Sequence, residues 1–164
     1  MKKIIQIIAF ITFAACASGT SQEAQQLWDK STVGMSSEQV MQLYKNVKLK
    51  PQTEKEKFHT AQIESFEING EYFQVEFLFD NNRLIIVTLI KDPTDEIHAY
   101  SILDLLKKKY GKPIMDKSKD DYYAKAEWLN DGIDIHWRFR NFSSRDRSLT
   151  IKYMALTRIW SEKL

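Results

Sequence analysis

Asp131-Gly132-Ile133-Asp134-Ile135-His136-Trp137-Arg138-Phe139-Arg140 alternates without interruption after its first two residues. Ile133, Ile135, Trp137 and Phe139 fall on one side of an extended chain. Asp134, His136, Arg138 and Arg140 fall on the other, the period of a half-buried strand. Asp131-Gly132 offers the two positive-φ residues of a type I′ hairpin turn, so the spacing predicts that residues 122–128 pair back as the preceding strand. One face of this hairpin belongs to a core and the other to water.

The same pattern occurs upstream. A strand is predicted over 61–68, Asn69-Gly70 repeats the hairpin signal, and 72–79 sets Phe73, Val75, Phe77 and Phe79 against Gln74 and Glu76. Asp80-Asn81-Asn82 turns the chain into an apolar run over 84–90, and 149–156 supplies a last strand. Ahead of the first set, Met35-Ser36-Ser37-Glu38-Gln39-Val40 carries helix-start signals. Ser36 and Gln39 form a capping box, and Met35 and Val40 stand where a hydrophobic staple would. Val40, Leu43, Tyr44 and Val47 then mark one helical face, before a polar loop over 48–57 that contains Pro51.

Pro93-Thr94-Asp95-Glu96 opens a second helix with Ile102, Leu105 and Leu106 inward. Lys107 to Lys109 lie near its end, and Gly111 and Pro113 stop it. The hairpin turns at Asn69 and Asp131 are 62 positions apart, and the helix caps at Ser36 and Asp95 are 59 apart. The expectation is an α+β fold, a single domain over 34–164 made of two similar halves, 34–92 and 93–164. Each half is a helix-plus-three-strand unit, giving antiparallel strands with two main helices packed on one face. One six-stranded sheet and two three-stranded sheets both satisfy this pattern.

The N-terminus speaks to address. Lys2 and Lys3 precede an apolar run over 4–15, shorter than the roughly 20 residues that span a bilayer and matching the core of an export signal. Phe13-Ala14-Ala15-Cys16 resembles a bacterial lipoprotein box, which implies removal of residues 1–15 as signal peptide and lipidation of Cys16. Cys16 is the only cysteine of the 164 residues, an odd count that lipidation explains. Residues 17–23 are small or polar, so 16–33 is expected to be the lipidated N-terminus and its tether. Ala17 is not the Asp associated with inner-membrane retention, and the resemblance therefore implies the periplasmic side of an outer membrane. Ordinary cleavage at Ala15-Cys16-Ala17 would instead give a soluble periplasmic or secreted protein.

Charge narrows the partners. The chain has 24 basic and 22 acidic residues, and without Lys2 and Lys3 the two signs balance. Electrostatic attraction to nucleic acid has no global support.

Gly34-Met35-Ser36-Ser37-Glu38-Gln39-Val40 resembles the Gly-x-[Ser/Thr]-x-x-x-Val opening of small outer-membrane lipoproteins of the SmpA/OmlA family. Tyr110-Gly111-Lys112-Pro113 resembles the Gly-x-Pro with which such a helix ends. The resemblance implies the fold shared with β-lactamase inhibitor proteins, built from helix-plus-sheet repeats. Both motifs have a physical account as helix caps, so they speak for architecture and not for chemistry.

Chemistry-bearing patterns are missing from the sequence. His59, His98 and His136 have no metal-ligand spacing. Asp116, Asp120 and Asp121 are interleaved with Lys117 and Lys119, which would oppose a bound cation. There is no nucleophile elbow, phosphate loop or dinucleotide fingerprint. No catalytic residue, metal or cofactor is expected, and the chain reads as a non-enzyme. Trp137-Arg138-Phe139-Arg140-Asn141-Phe142, followed by Arg145 and Arg147, interleaves rings with cations, but strand alternation explains it without nucleic acid.

Tyr72, His136, Arg138 and Arg140 are the candidate protein-binding face, because arginine and aromatic side chains are favoured interface anchors. The expected function is a non-enzymatic exported lipoprotein, bound to the membrane through Cys16, that acts as a protein-binding module for a cell-envelope partner. An inhibitor or immunity-type binder is a close variant. The alternative is a carrier holding an apolar ligand such as a lipid, with Phe73, Val75, Phe77, Phe79, Trp128 and Trp137 as candidate lining.

Overall fold

The computed structural model describes residues 25–51, 58–120, 122–143 and 146–156. The signal segment, Cys16 and the polar stretch 17–23 lie outside the described residues. In chain order the elements are β1 (Gln26–Trp28), β2 (Ser31–Thr32), α1 (Ser37–Leu43), β3 (Lys48–Leu49), β4 (Phe58–Ile68), β5 (Glu71–Asp80) and β6 (Arg83–Lys91). Then follow α2 (Glu96–Tyr110), β7 (Met115–Lys117), β8 (Tyr123–Asn130), β9 (Ile133–Ser143) and β10 (Asp146–Ala155).

Strands dominate, with 56% of the described residues against 18% in helix. Eight of them form one antiparallel sheet in the order β3-β4-β5-β6-β10-β9-β8-β7, and β1 pairs with β2 in a separate ribbon. This corrects the α+β expectation of two three-strand units with two main helices: the chain is mostly β. One reason lies in α1. Tyr44 already has extended backbone (φ −118, ψ 129) and Asn46 is left-handed (φ 64), so the helix ends at Leu43. Val47 packs on the core from outside the helix. The other reason is that each half adds a short outer strand: β3 at the start of the stretch read as a polar loop, and β7 between α2 and β8.

A second correction concerns 16–33. Residues 26–32, placed with the tether, form the β1–β2 ribbon, and Leu27 and Trp28 are buried. The Trp28 ring packs 5.2 Å from Phe66, 5.8 Å from Tyr44 and 6.2 Å from Phe77, centroid to centroid. Burial on this scale makes the segment part of the core.

Turn chemistry sets the sheet. Asn69-Gly70 (φ 52, 82), Asn81-Asn82 (φ 49, 56) and Asp131-Gly132 (φ 48, 74) all take the left-handed conformations that type I′ turns need. The order of strands places β6 beside β10, so two meanders, β3 to β6 and β10 to β7, meet at one antiparallel seam with Leu149 opposite Lys91 and Met154 opposite Ile86.

The inner face carries Phe73, Val75, Phe77, Val87, Leu89, Ile135, Trp137 and Ile151, all buried. Both helices lie on it. α1 contributes Val40, and Tyr44 just beyond it packs against Phe77, while α2 contributes Ala99, Ile102, Leu103 and Leu106. Trp137 Nε1 donates to the Ala99 carbonyl at 3.2 Å, which fastens α2 to β9. The α1 capping box is present, with Ser36 N donating to Gln39 Oε1 at 2.8 Å and Gln39 N donating to Ser36 Oγ at 3.3 Å. Asn82 reaches this end of α1 from the β5–β6 turn, its Oδ1 accepting from Ser37 N (3.0 Å) and Ser37 Oγ (2.8 Å). The Glu38 carboxyl is held down at about 2, by the Ser36 hydroxyl first, then by its own amide and by Asn82 Nδ2, which donates to it.

Candidate functional site

Helices cover the inner face, so the outer face of the sheet presents whatever alternates with the core. The register lays it out in rows. Tyr123, Arg140 and Ser148 are cross-strand neighbours on β8, β9 and β10. Lys125, Arg138, Thr150 and Ile90 form the next row, and Glu127, His136, Lys152 and Thr88 the one after. A recess of about 230 Å³ opens over these rows, lined by Tyr123, His136, Arg138, Arg140, Ser148 and Lys152 among others, with Asp92 at its end beyond β6.

Three of the four residues proposed as a binding face therefore share one recess: His136, Arg138 and Arg140. Tyr72 does not join them. It is 60% exposed on the same outer face but sits on β5, outside the recess, with its hydroxyl 3.4 Å from Glu67 Oε2. Tyr123, Ser148, Thr150 and Lys152 were not singled out from sequence. The signal was there: Ser148, Thr150 and Lys152 alternate with Leu149, Ile151 and Tyr153.

Hydrogen bonds fix the state of the central histidine. Arg138 Nη2 lies 3.2 Å from His136 Nδ1, and a guanidinium can only donate, so Nδ1 accepts. The ring proton then sits on Nε2, which faces Asp134 Oδ2 at 2.9 Å. Asp134 is engaged by the histidine, and Arg138 pairs with no carboxylate among the described residues. Its Nε is buried and has no hydrogen-bond partner. Arg140 Nε donates to Ser148 Oγ at 3.1 Å, and its outer nitrogen is 3.9 Å from Asp146. Three fixed cations thus share a groove with a single lining carboxylate.

A second recess, of about 550 Å³, opens on the helix side between the ribbon and α2. Trp28, Phe66, Phe73, Leu89, Ile102 and Leu106 are among its walls. Of the six side chains proposed to line an apolar cavity, Phe73 is the one that reaches it, and Val75, Phe77, Phe79, Trp128 and Trp137 fill the core. Burial pushes the Tyr153 phenol, at the same recess, far up, so it stays protonated.

The other histidine pairing lies on open surface. His98 Nε2 is 2.8 Å from Glu71 and Nδ1 is 2.5 Å from Asp95, with Lys91 2.6 Å from Glu71. Lys91 lowers the Glu71 carboxyl, and the His98 amide lowers Asp95, the cap of α2. This network ties the start of α2 to β5 outside both recesses. Among the described residues, no group of three or more His, Cys, Asp or Glu side chains could hold a metal ion, and no helix is long and apolar enough to cross a membrane.

The fold and site define a paired-meander antiparallel sheet, backed by helices on one face and carrying a cationic recess on the other. A family model described as "Uncharacterised protein" matches residues 29–156, and the chain belongs to that family. No curated protein and no solved structure matches it.

Proposed function

We propose that this protein is a non-enzymatic exported lipoprotein that binds another envelope protein through the outer face of its sheet. Arg138 is the observation that carries this reading. A guanidinium that lines the recess with a buried, unpartnered Nε and no carboxylate among the described residues is costly to keep in a free protein, and a partner that brings a carboxylate to it gives it a use. The signal over residues 1–15, lipidation at Cys16 and a place on the periplasmic side of the outer membrane belong to the same proposal. So does kinship with the SmpA/OmlA lipoproteins, which rests on residues 34–40 and 110–113.

Two measurements test it. Intact mass of the membrane-extracted protein beside a Cys16→Ser variant reads the anchor: acyl mass on Cys16, lost in the variant, is expected. A photo-crosslinking residue at position 123 is expected to give a discrete protein adduct in cells, and the same residue at position 105, on α2, is not. An unmodified chain starting after Cys16, or protein adducts that do not depend on the face, would overturn the respective half.

The helix-side recess favours one second reading, a carrier of an apolar ligand. Its walls are mainly aromatic and aliphatic, and its volume is that of a small-molecule site. A lipid-sized adduct from position 105 would support that reading over the first.

A further inference from the structure

We infer that the recess takes an extended acidic segment of its protein partner, with carboxylates at alternate positions paired to Arg138 and Arg140; this rests on the binding reading above and names its chemistry. Charge comes first. Arg138, Arg140 and Lys152 line the recess against Asp92 alone, and Lys125 stands directly across from Arg138. The carboxylates nearby are engaged or outside the lining: Asp134 faces His136, Asp146 lies 3.9 Å from Arg140, and Glu127 stands across from His136. An incoming carboxylate fits the fork of the Arg138 guanidinium, which lines the recess with no carboxylate partner among the described residues.

Spacing specifies the shape. Arg138 and Arg140 are alternate residues of β9, and alternate residues of a strand stand about 6.5–7 Å apart on one face. An extended partner presents its own alternate side chains at that same interval. Two carboxylates in an acid-x-acid pattern therefore meet both arginines, whereas neighbouring acids would point to opposite sides.

The lining also separates carboxylate from phosphate. Phosphate sites commonly use backbone amides, at a glycine-rich turn or a free helix N-terminus. Here the donors are side chains from strands, with Ser148, Thr150 and Tyr123 adding hydroxyls. The α2 N-terminus, which follows Asp92, is already capped by Asp95, whose Oδ1 accepts from His98 N at 2.8 Å.

Fluorescent peptides test the inference on the full chain. A (Glu-Thr)4 peptide is compared with (Glu-Glu-Thr-Thr)2 of equal composition, with inorganic phosphate, and with phosphatidylglycerol vesicles. Saturable binding of the alternating peptide is expected, at least tenfold tighter than the blocked one and tenfold weaker in Arg138→Met. Arg138→Lys, which keeps charge but loses the fork, is expected to fall between, and Lys108→Met, on the exposed side of α2, to match the parent. Urea midpoints confirm that each variant is folded. Equal binding of the two peptides, tighter binding of phosphate or vesicles, or parental affinity in Arg138→Lys would overturn it. A protein adduct at position 123 together with no binding of the alternating peptide would sink this inference and leave the binding reading standing.

Discussion

Arg138→Met removes the guanidinium and keeps most of the apolar stem that lies on the sheet. Three changes decide its effect on stability. Removing the orphaned Nε recovers the cost of a buried unpaired donor, about 1–3 kcal/mol. Losing the 3.2 Å contact to His136 costs about 1.5–3 kcal/mol, as for a hydrogen bond to a charged group. Relieving the like charge of Lys125, directly opposite on β8, returns about 0.2–1 kcal/mol. The sum lies near zero, between a loss of about 2 and a gain of about 2.5 kcal/mol. An arginine in a satisfied structural ion pair would instead lose about 3–5 kcal/mol on losing its partner. Urea unfolding of parent and variant, read as midpoint and slope, separates the cases. A loss above about 3 kcal/mol would mean that Arg138 holds the sheet together, and the case for a binding arginine would fail.

Other outcomes follow from single contacts. Asn82→Ala should cost about 2–4 kcal/mol, since it loses the Ser37 bonds and strains a φ of 56°. Asn82→Gly should cost less, because only the cap is lost, and equal urea midpoints for the two would remove the strain component. Trp28→Ala should cost about 3–5 kcal/mol, and a chain starting at residue 34 should unfold well below one starting at residue 25 in a thermal scan. If both melt together, the ribbon is not part of the core. Asp116 is held at about 2, chiefly by the Ser118 hydroxyl and then by its amide and Lys107. A depressed carboxyl stabilises fully above its unfolded value, about 3.9, and that contribution is lost as pH falls towards 2. The acid limb of Asp116→Asn should therefore be flatter over that window, and parallel urea-midpoint profiles for parent and variant would count against it.

Local chemistry made parts of this fold readable. Asn69-Gly70 and Asp131-Gly132 named their hairpins because few other pairs accept two left-handed residues, and Ser36 with Gln39 named the start of α1. Alternation alone put His136, Arg138 and Arg140 on the outer face. What escaped was set by distant partners. Leu27-Trp28 is too short an apolar pair to show a period, and its burial depends on Tyr44, Phe66 and Phe77. Strands of two or three residues such as β3 and β7 carry no pattern. The β6–β10 seam, which makes one eight-stranded sheet, joins residues that no turn connects. That Arg138 Nε is buried without a partner is a matter of rotamers and packing, which no sequence pattern carries.

The seam also bears on how the chain finds this shape. Within each meander, consecutive strands are joined by short connections, so their closure is entropically cheap and rapid. Joining β6 to β10 brings Lys91 to Leu149 across the whole of the second half, the costliest closure in the sheet. The two meanders are therefore expected to form early and dock late, and substitutions at Val87 or Ile151 should speed unfolding more than they slow folding. Until that docking, both seam strands are bare edges, and the nascent protein is most exposed to pairing with a second copy of itself.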